Sequence, residues 1–226
     1  MPVRALIFGF LLLAPAALAG EKPCITYKAP PPAEDDRPVA TSITVGPQGS
    51  DYAFKIDFNR APWGDECATR CANTTIYLDT DNDKNTGLKL RDPKSPISGS
   101  DLSITIQGVR EYKEASSLSV LRIKVKQFSE EATSVEQGSV LAELDLRRDV
   151  ERINAAEKTI YLLIDANIGS LPAGPKVRVV YHPPDAKPMI GTAKGLNAPG
   201  ANRVEIFKEG KLSNPAKKKK KDYEYE

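Results

Sequence analysis

The run Thr74-Thr75-Ile76-Tyr77-Leu78-Asp79-Thr80-Asp81-Asn82-Asp83-Lys84-Asn85-Thr86-Gly87 passes from a strand straight into an acidic loop. In its first half, Thr74, Ile76 and Leu78 alternate with their neighbours, the period-two pattern of a half-buried strand. In its second half, Asp79, Asp81 and Asp83 stand at alternate positions. A tight loop can turn such carboxylates toward one point, and calcium takes about six to eight oxygens arranged that way. Unneutralised, the three charges would repel one another. Two readings follow: a bound hard cation, or a solvated turn rich in Asp and Asn.

The strand pattern extends in both directions from this run. Ile43 and Val45, then Phe54, Ile56 and Phe58, precede it. Leu102, Ile104 and Ile106, then Leu121, Ile123 and Val125, then Val140, Ala142 and Leu144 follow it. Residues 160–164 and 177–181 are more continuously apolar and read as central strands. About eight strands separated by Pro, Gly and Asn predict an all-β fold, an antiparallel β-sandwich. Residues 149–155 read as one or two turns, and residues 203–207 as a last short strand. No amphipathic helix of ordinary length is expected.

The ends read differently from the middle. Arg4, the apolar residues 5–13 and the small-x-small triplet Ala17-Leu18-Ala19 predict a signal peptide over 1–19, cut before Gly20. No other segment approaches the ~20 apolar residues of a membrane span. The protein is therefore expected to be exported, to a periplasmic or extracellular space. Residues 20–39 form a Pro-rich leader, 40–208 the sandwich domain, and 209–226 a charged, disordered tail. Within that tail, Lys217, Lys218, Lys219, Lys220 and Lys221 offer loose attraction to anionic surfaces, but a local run is not a specific nucleic-acid footprint.

Export also makes a disulfide an expectation. Three cysteines are present. Cys67 with Cys71 is the simplest pairing, Cys24 with either is the rival, and one thiol is left over in both cases. Catalytic patterns are missing: there is no Gly-x-Ser-x-Gly, no His-Glu-x-x-His and no phosphate-binding glycine loop. His182 is the single histidine. Asp79, Asp81 and Asp83 resemble the opening of an EF-hand loop, but Lys84 stands where Gly is needed and Leu90 where the bidentate Glu belongs.

The order strand, Asp79-Thr80-Asp81-Asn82-Asp83, Thr86-Gly87, an insert, then Gly99-Ser100-Asp101-Leu102 resembles a signature of secreted bacterial β-sandwiches similar to family-nine carbohydrate-binding modules and DOMON-like domains. The resemblance covers about residues 40–182. It implies a structural calcium near Asp79, Asp81, Asp83 and Asp101. It further implies a non-enzymatic binding or interaction module for an envelope or extracellular glycan. Trp63 is the single Trp, where sugar-binding members use aromatic platforms. Two other classes stand beside this one: a structural envelope protein without a small-molecule ligand, and a carboxylate-dependent hydrolase.

Overall fold

The computed structural model describes residues 22–30, 37–63, 71–113, 116–167, 171–184, 186–199, 207–208 and 211–212. The expected signal peptide, Gly20, Cys67 and the run Lys217 to Lys221 lie outside the described residues. Thirteen described strands run in chain order: β1 (Ile25–Thr26), β2 (Ala40–Gln48), β3 (Asp51–Phe58), β4 (Asn73–Asp79), β5 (Leu102–Lys113), β6 (Ser116–Gln127), β7 (Ser139–Asp145), β8 (Ile153–Ala156), β9 (Thr159–Asp165), β10 (Lys176–Tyr181), β11 (Met189–Lys194), β12 (Phe207–Lys208) and β13 (Lys211–Leu212). A single 3₁₀ turn, Val135–Gln137, is the only helical element among the described residues.

Two antiparallel sheets form the sandwich. One has five strands in the order β1-β2-β3-β9-β8, and the other six in the order β11-β10-β4-β5-β6-β7. A separate two-stranded ribbon joins β12 to β13. Sequential strands pair directly in the β4-β5-β6-β7 meander. The chain changes sheets between β3 and β4, β7 and β8, and β9 and β10.

Alternation decides what each strand buries. Ile43, Phe54, Ile56 and Ile160 of one sheet meet Ile76, Leu78, Ile104, Ile123 and Val179 of the other in one continuous core. Tyr77 sits between Ile76 and Leu78, so it points to the opposite face. There it stacks on Phe128, with ring centroids 6.5 Å apart and planes 20° apart. Leu88, Phe128 and Ala132 make a second small core with Tyr77, Leu90, Ile97 and Val135 packed against it. The 88–99 insert is therefore folded onto the outer face of the six-stranded sheet.

All eight expected strands are present, and three more join the sheets. β1 belongs to the Pro-rich leader. Cys24 N–H donates to Ile43 O at 2.9 Å and Tyr27 N–H to Thr41 O at 2.8 Å, adding the leader to the sheet edge. β11 lies beside it: a Cβ on Gly191 would come within 2.2 Å of Cys24 O, so only Gly allows that approach. β8 begins where residues 149–152 finish turning, with Ile153 N–H still donating to Asp149 O at 2.9 Å. The expected strand at 203–207 overlaps the described residues only at Phe207, the first residue of β12.

The rival pairing through Cys24 is corrected; Cys71 is disulfide-bonded, and the expected partner Cys67 lies outside the described residues. No disulfide joins two of the described residues. Cys24 carries a free thiol that donates to Ile43 O at 3.1 Å, and burial pushes that thiol up to about 11. Its expected role as a rival partner is thereby removed. No described helix is long and apolar enough to cross a membrane.

Candidate metal centre

Asp79 is the last residue of β4 and Asp101 immediately precedes β5. Pairing of Leu78 with Leu102 in these neighbouring strands brings the two carboxylates to one rim of the sandwich. Asp101 N–H donates to Leu78 O at 2.8 Å, which fixes that junction. Asp79 is 1% exposed and Asp101 2%, while Asp81 is half-buried. One carboxylate oxygen from each of Asp79, Asp81 and Asp101 lies within 4.8 Å of the others.

Asp83 does not join them with its side chain. Its Oδ1 accepts from Asn85 N–H at 2.9 Å and from Asn85 Nδ2 at 2.8 Å, in an exposed turn. Its contribution is the backbone: Asp83 N–H donates to Asp79 Oδ1 at 3.1 Å and to Asp81 Oδ1 at 2.8 Å. Three of the four expected carboxylates thus converge, and the fourth residue orients them.

Left-handed backbone closes the loop. Asn82 has φ 60° and Gly87 φ 63°. A Cβ on Gly87 would sit 2.3 Å from Ser100 O, the carbonyl that accepts Leu88 N–H at 2.8 Å. Gly87→Ala should therefore destabilise the protein by about 1–3 kcal/mol, the range for a strained non-Gly conformation, read as a lower urea midpoint with unchanged slope.

Two further residues complete the arrangement. Arg178 lies opposite Asp79 on β10. Its Nε donates to Asp79 Oδ2 at 3.0 Å and its Nη2 lies 2.9 Å from the same oxygen. Its remaining donors hold the insert: Nη1 donates to Pro96 O and Nη2 to Ser98 O at 2.7 Å. Thr80 works on the other side. Its N–H donates to Asp101 Oδ2 at 2.7 Å, and its hydroxyl lies 2.8 Å from that oxygen and 2.6 Å from Pro172 O. Gly174 N–H donates back to Thr80 O at 3.0 Å, so the 171–175 segment is strapped over the cluster. Arg178 has a visible sequence signal, a cation inside the apolar run 177–181, since a charge on a central strand needs a partner. Thr80 has none beyond adjacency to two acidic residues.

The electrostatics are unbalanced. Burial pushes the Asp101 carboxyl up to about 6; the Thr80 hydrogen bonds lower it, and the Asp81 and Asp79 charges raise it further. Burial also raises Asp79, with the Arg178 hydrogen bond opposing that rise and Asp81 adding to it. Three carboxylates against the one guanidinium bonded to Asp79 leave two negative charges uncompensated when all are ionised. A divalent cation carries the charge that would relieve both burial and repulsion, and the donor set is all oxygen, which suits calcium over zinc.

Comparison of the chain with known proteins found no matching family model, no matching curated protein and no matching solved structure.

Proposed function

We propose that this protein is an exported β-sandwich binding or interaction module whose rim is held together by calcium. The convergence of Asp79, Asp81 and Asp101, two of them buried, is the observation that carries this reading. Buried carboxylates at that density are costly without a counter-charge. Arg178 supplies one such charge, and calcium supplies the rest. The cation's role is structural. It joins the end of β4 to the start of β5, while Arg178 and Thr80 attach the 88–99 insert and the 171–175 strap to the same point. Extracellular modules work with calcium sites as weak as ~10⁻⁴–10⁻³ M, which suits a centre with three carboxylates and an exported chain.

The ligand of the module is proposed to be an envelope or extracellular glycan. The outer face of β5, β6 and β7 carries an open groove of ≈ 810 Å³ whose lining includes Gln107, Val109, Lys124, Glu143 and Arg148. Its size lies in the range of small-ligand sites, roughly 300–1,000 Å³. Its side chains offer donors and acceptors suited to sugar hydroxyls, with Lys124 and Glu143 held to one another at 2.7 Å. Affinity electrophoresis through gels containing peptidoglycan fragments or acidic and neutral polysaccharides tests this. Retardation by at least one polymer, reduced in Gln107→Ala and Arg148→Ala, is expected. Equal mobility in every gel would favour a structural envelope protein instead.

A further inference from the structure

In the groove on the outer face of β5, β6 and β7, strand register sets the order of charge. Gln107, Arg122 and Asp145 stand side by side in one cross-strand row, and Lys124 and Glu143 in the next. Asp145 is 3% exposed and is held by Arg147, whose Nε and Nη2 donate to its two oxygens at 3.2 and 3.0 Å. Arg122 Nε lies 4.0 Å from the same carboxylate. Glu143 is held by Lys124 at 2.7 Å. The two acids of the groove are thus already matched by Arg147 and Lys124. Arg148 follows in the exposed turn, where its backbone N–H donates to Asp145 O at 2.9 Å. In the described lining, Arg122, Lys124, Arg147 and Arg148 outnumber the two carboxylates, four charges to two. The formal net charge of the whole chain is +2, so this one groove holds as large an excess as the entire sequence. The acidic centre does not cancel it. Gln107 lies five residues along β5 from Leu102, the partner of Leu78 beside that centre. Five strand residues span about 17 Å, roughly two Debye lengths at physiological salt.

We propose that this groove selects negatively charged glycans, whose carboxylate or phosphate groups meet its excess cations while Gln107 meets sugar hydroxyls. This rests on the glycan reading of the same groove and adds the charge of the ligand. A guanidinium presents a planar fork of donors that fits either anionic group. The Arg122 and Arg147 side chains remain 49% and 43% exposed, so a ligand reaches them without opening the fold. A neutral glycan leaves the excess charge to water, and a cationic one is repelled.

Affinity electrophoresis with polymer pairs that share a backbone and differ in charge tests it: polygalacturonate against its methyl ester, and phosphomannan against mannan. The first pair reads carboxylate and the second phosphate. Full-length protein is run at about 150 mM salt, where distant charges are screened. Retardation by at least one charged polymer, at least tenfold stronger than by its neutral counterpart, is expected. Arg148→Glu should weaken it by roughly two- to tenfold, the scale of exposed charge pairs with the sign reversed, and Arg148→Lys should keep most of it. The Arg148 side chain is exposed, so neither variant disturbs the core. A full-length variant with Lys217, Lys218, Lys219, Lys220 and Lys221 replaced by Gln separates the groove from the tail, and it should keep the preference. Loss of the preference in that variant, or equal retardation of wild type and Arg148→Glu, would overturn the assignment to the groove. Equal retardation by charged and neutral partners would overturn the charge selection and leave the glycan reading intact. Unchanged mobility in all four gels would overturn both.

Discussion

Arg178→Met should cost about 3–5 kcal/mol of folding stability, the range for removing one partner of a buried ion pair. The variant keeps most of the side-chain volume and loses only the guanidinium. Asp79, 1% exposed, is then left without its counter-charge. Pro96 O and Ser98 O lose their donors, so the insert is released from the outer face at the same time. Urea denaturation followed by tryptophan fluorescence or circular dichroism measures the loss. The response to calcium distinguishes lost charge from lost packing. With the guanidinium gone the centre is more negative, so calcium should recover a larger share of stability in the variant than in the wild type. A loss below about 1 kcal/mol, the scale of a surface pair, would show that Asp79 does not depend on Arg178.

Calcium should raise the melting temperature of the wild type by about 5–10 °C at a hundredfold excess over its Kd. A ligand bound only by the folded state contributes about 2.7 kcal/mol at that excess. For a domain of this size each kcal/mol moves the midpoint by roughly 2–4 °C. Magnesium should do less, because it requires a tighter, nearly octahedral shell. Asp81→Ala should abolish the calcium-dependent increment, since it removes a converging carboxylate. Asp57→Ala should leave the increment in place. Asp57 pairs instead with Thr159 Oγ1 at 2.7 Å and Lys55 at 3.4 Å, on a strand away from the centre. That variant loses those contacts, so its baseline shifts while its response to calcium does not.

The sandwich was legible because alternation is a local signal. Ile76 and Leu78 against Tyr77, or Leu121, Ile123 and Val125 against Arg122 and Lys124, declare their faces within five residues. The three extra strands lack that signal. β1 is two residues long, and β11 contains Gly191 and leaves Ile190 59% exposed. The place of β1 and β11 is decided by a long-range meeting between Cys24 and Gly191 that no window of sequence contains. The centre shows the same division. Alternate spacing brings Asp79 and Asp81 together, and the pairing of β4 with β5 delivers Asp101. Spacing alone also includes Asp83, but a backbone turn at Asn82 directs its carboxylate to Asn85 instead. Arg178 arrives from β10, 99 residues from Asp79 in sequence. Its arrival is a product of tertiary packing, although a lone cation in an apolar strand is a readable hint.

Everything proposed for the rim depends on three carboxylates holding one calcium ion. The direct measurement is a calorimetric titration of calcium chloride into full-length protein first shown to be metal-free. One saturable site per chain is predicted, tighter than or comparable to the ~10⁻⁴–10⁻³ M of extracellular modules, and lost in Asp81→Ala. A folded, metal-free protein that takes up no calcium at several times that concentration would contradict it, and the acidic loop would stand as a turn closed by its own hydrogen bonds.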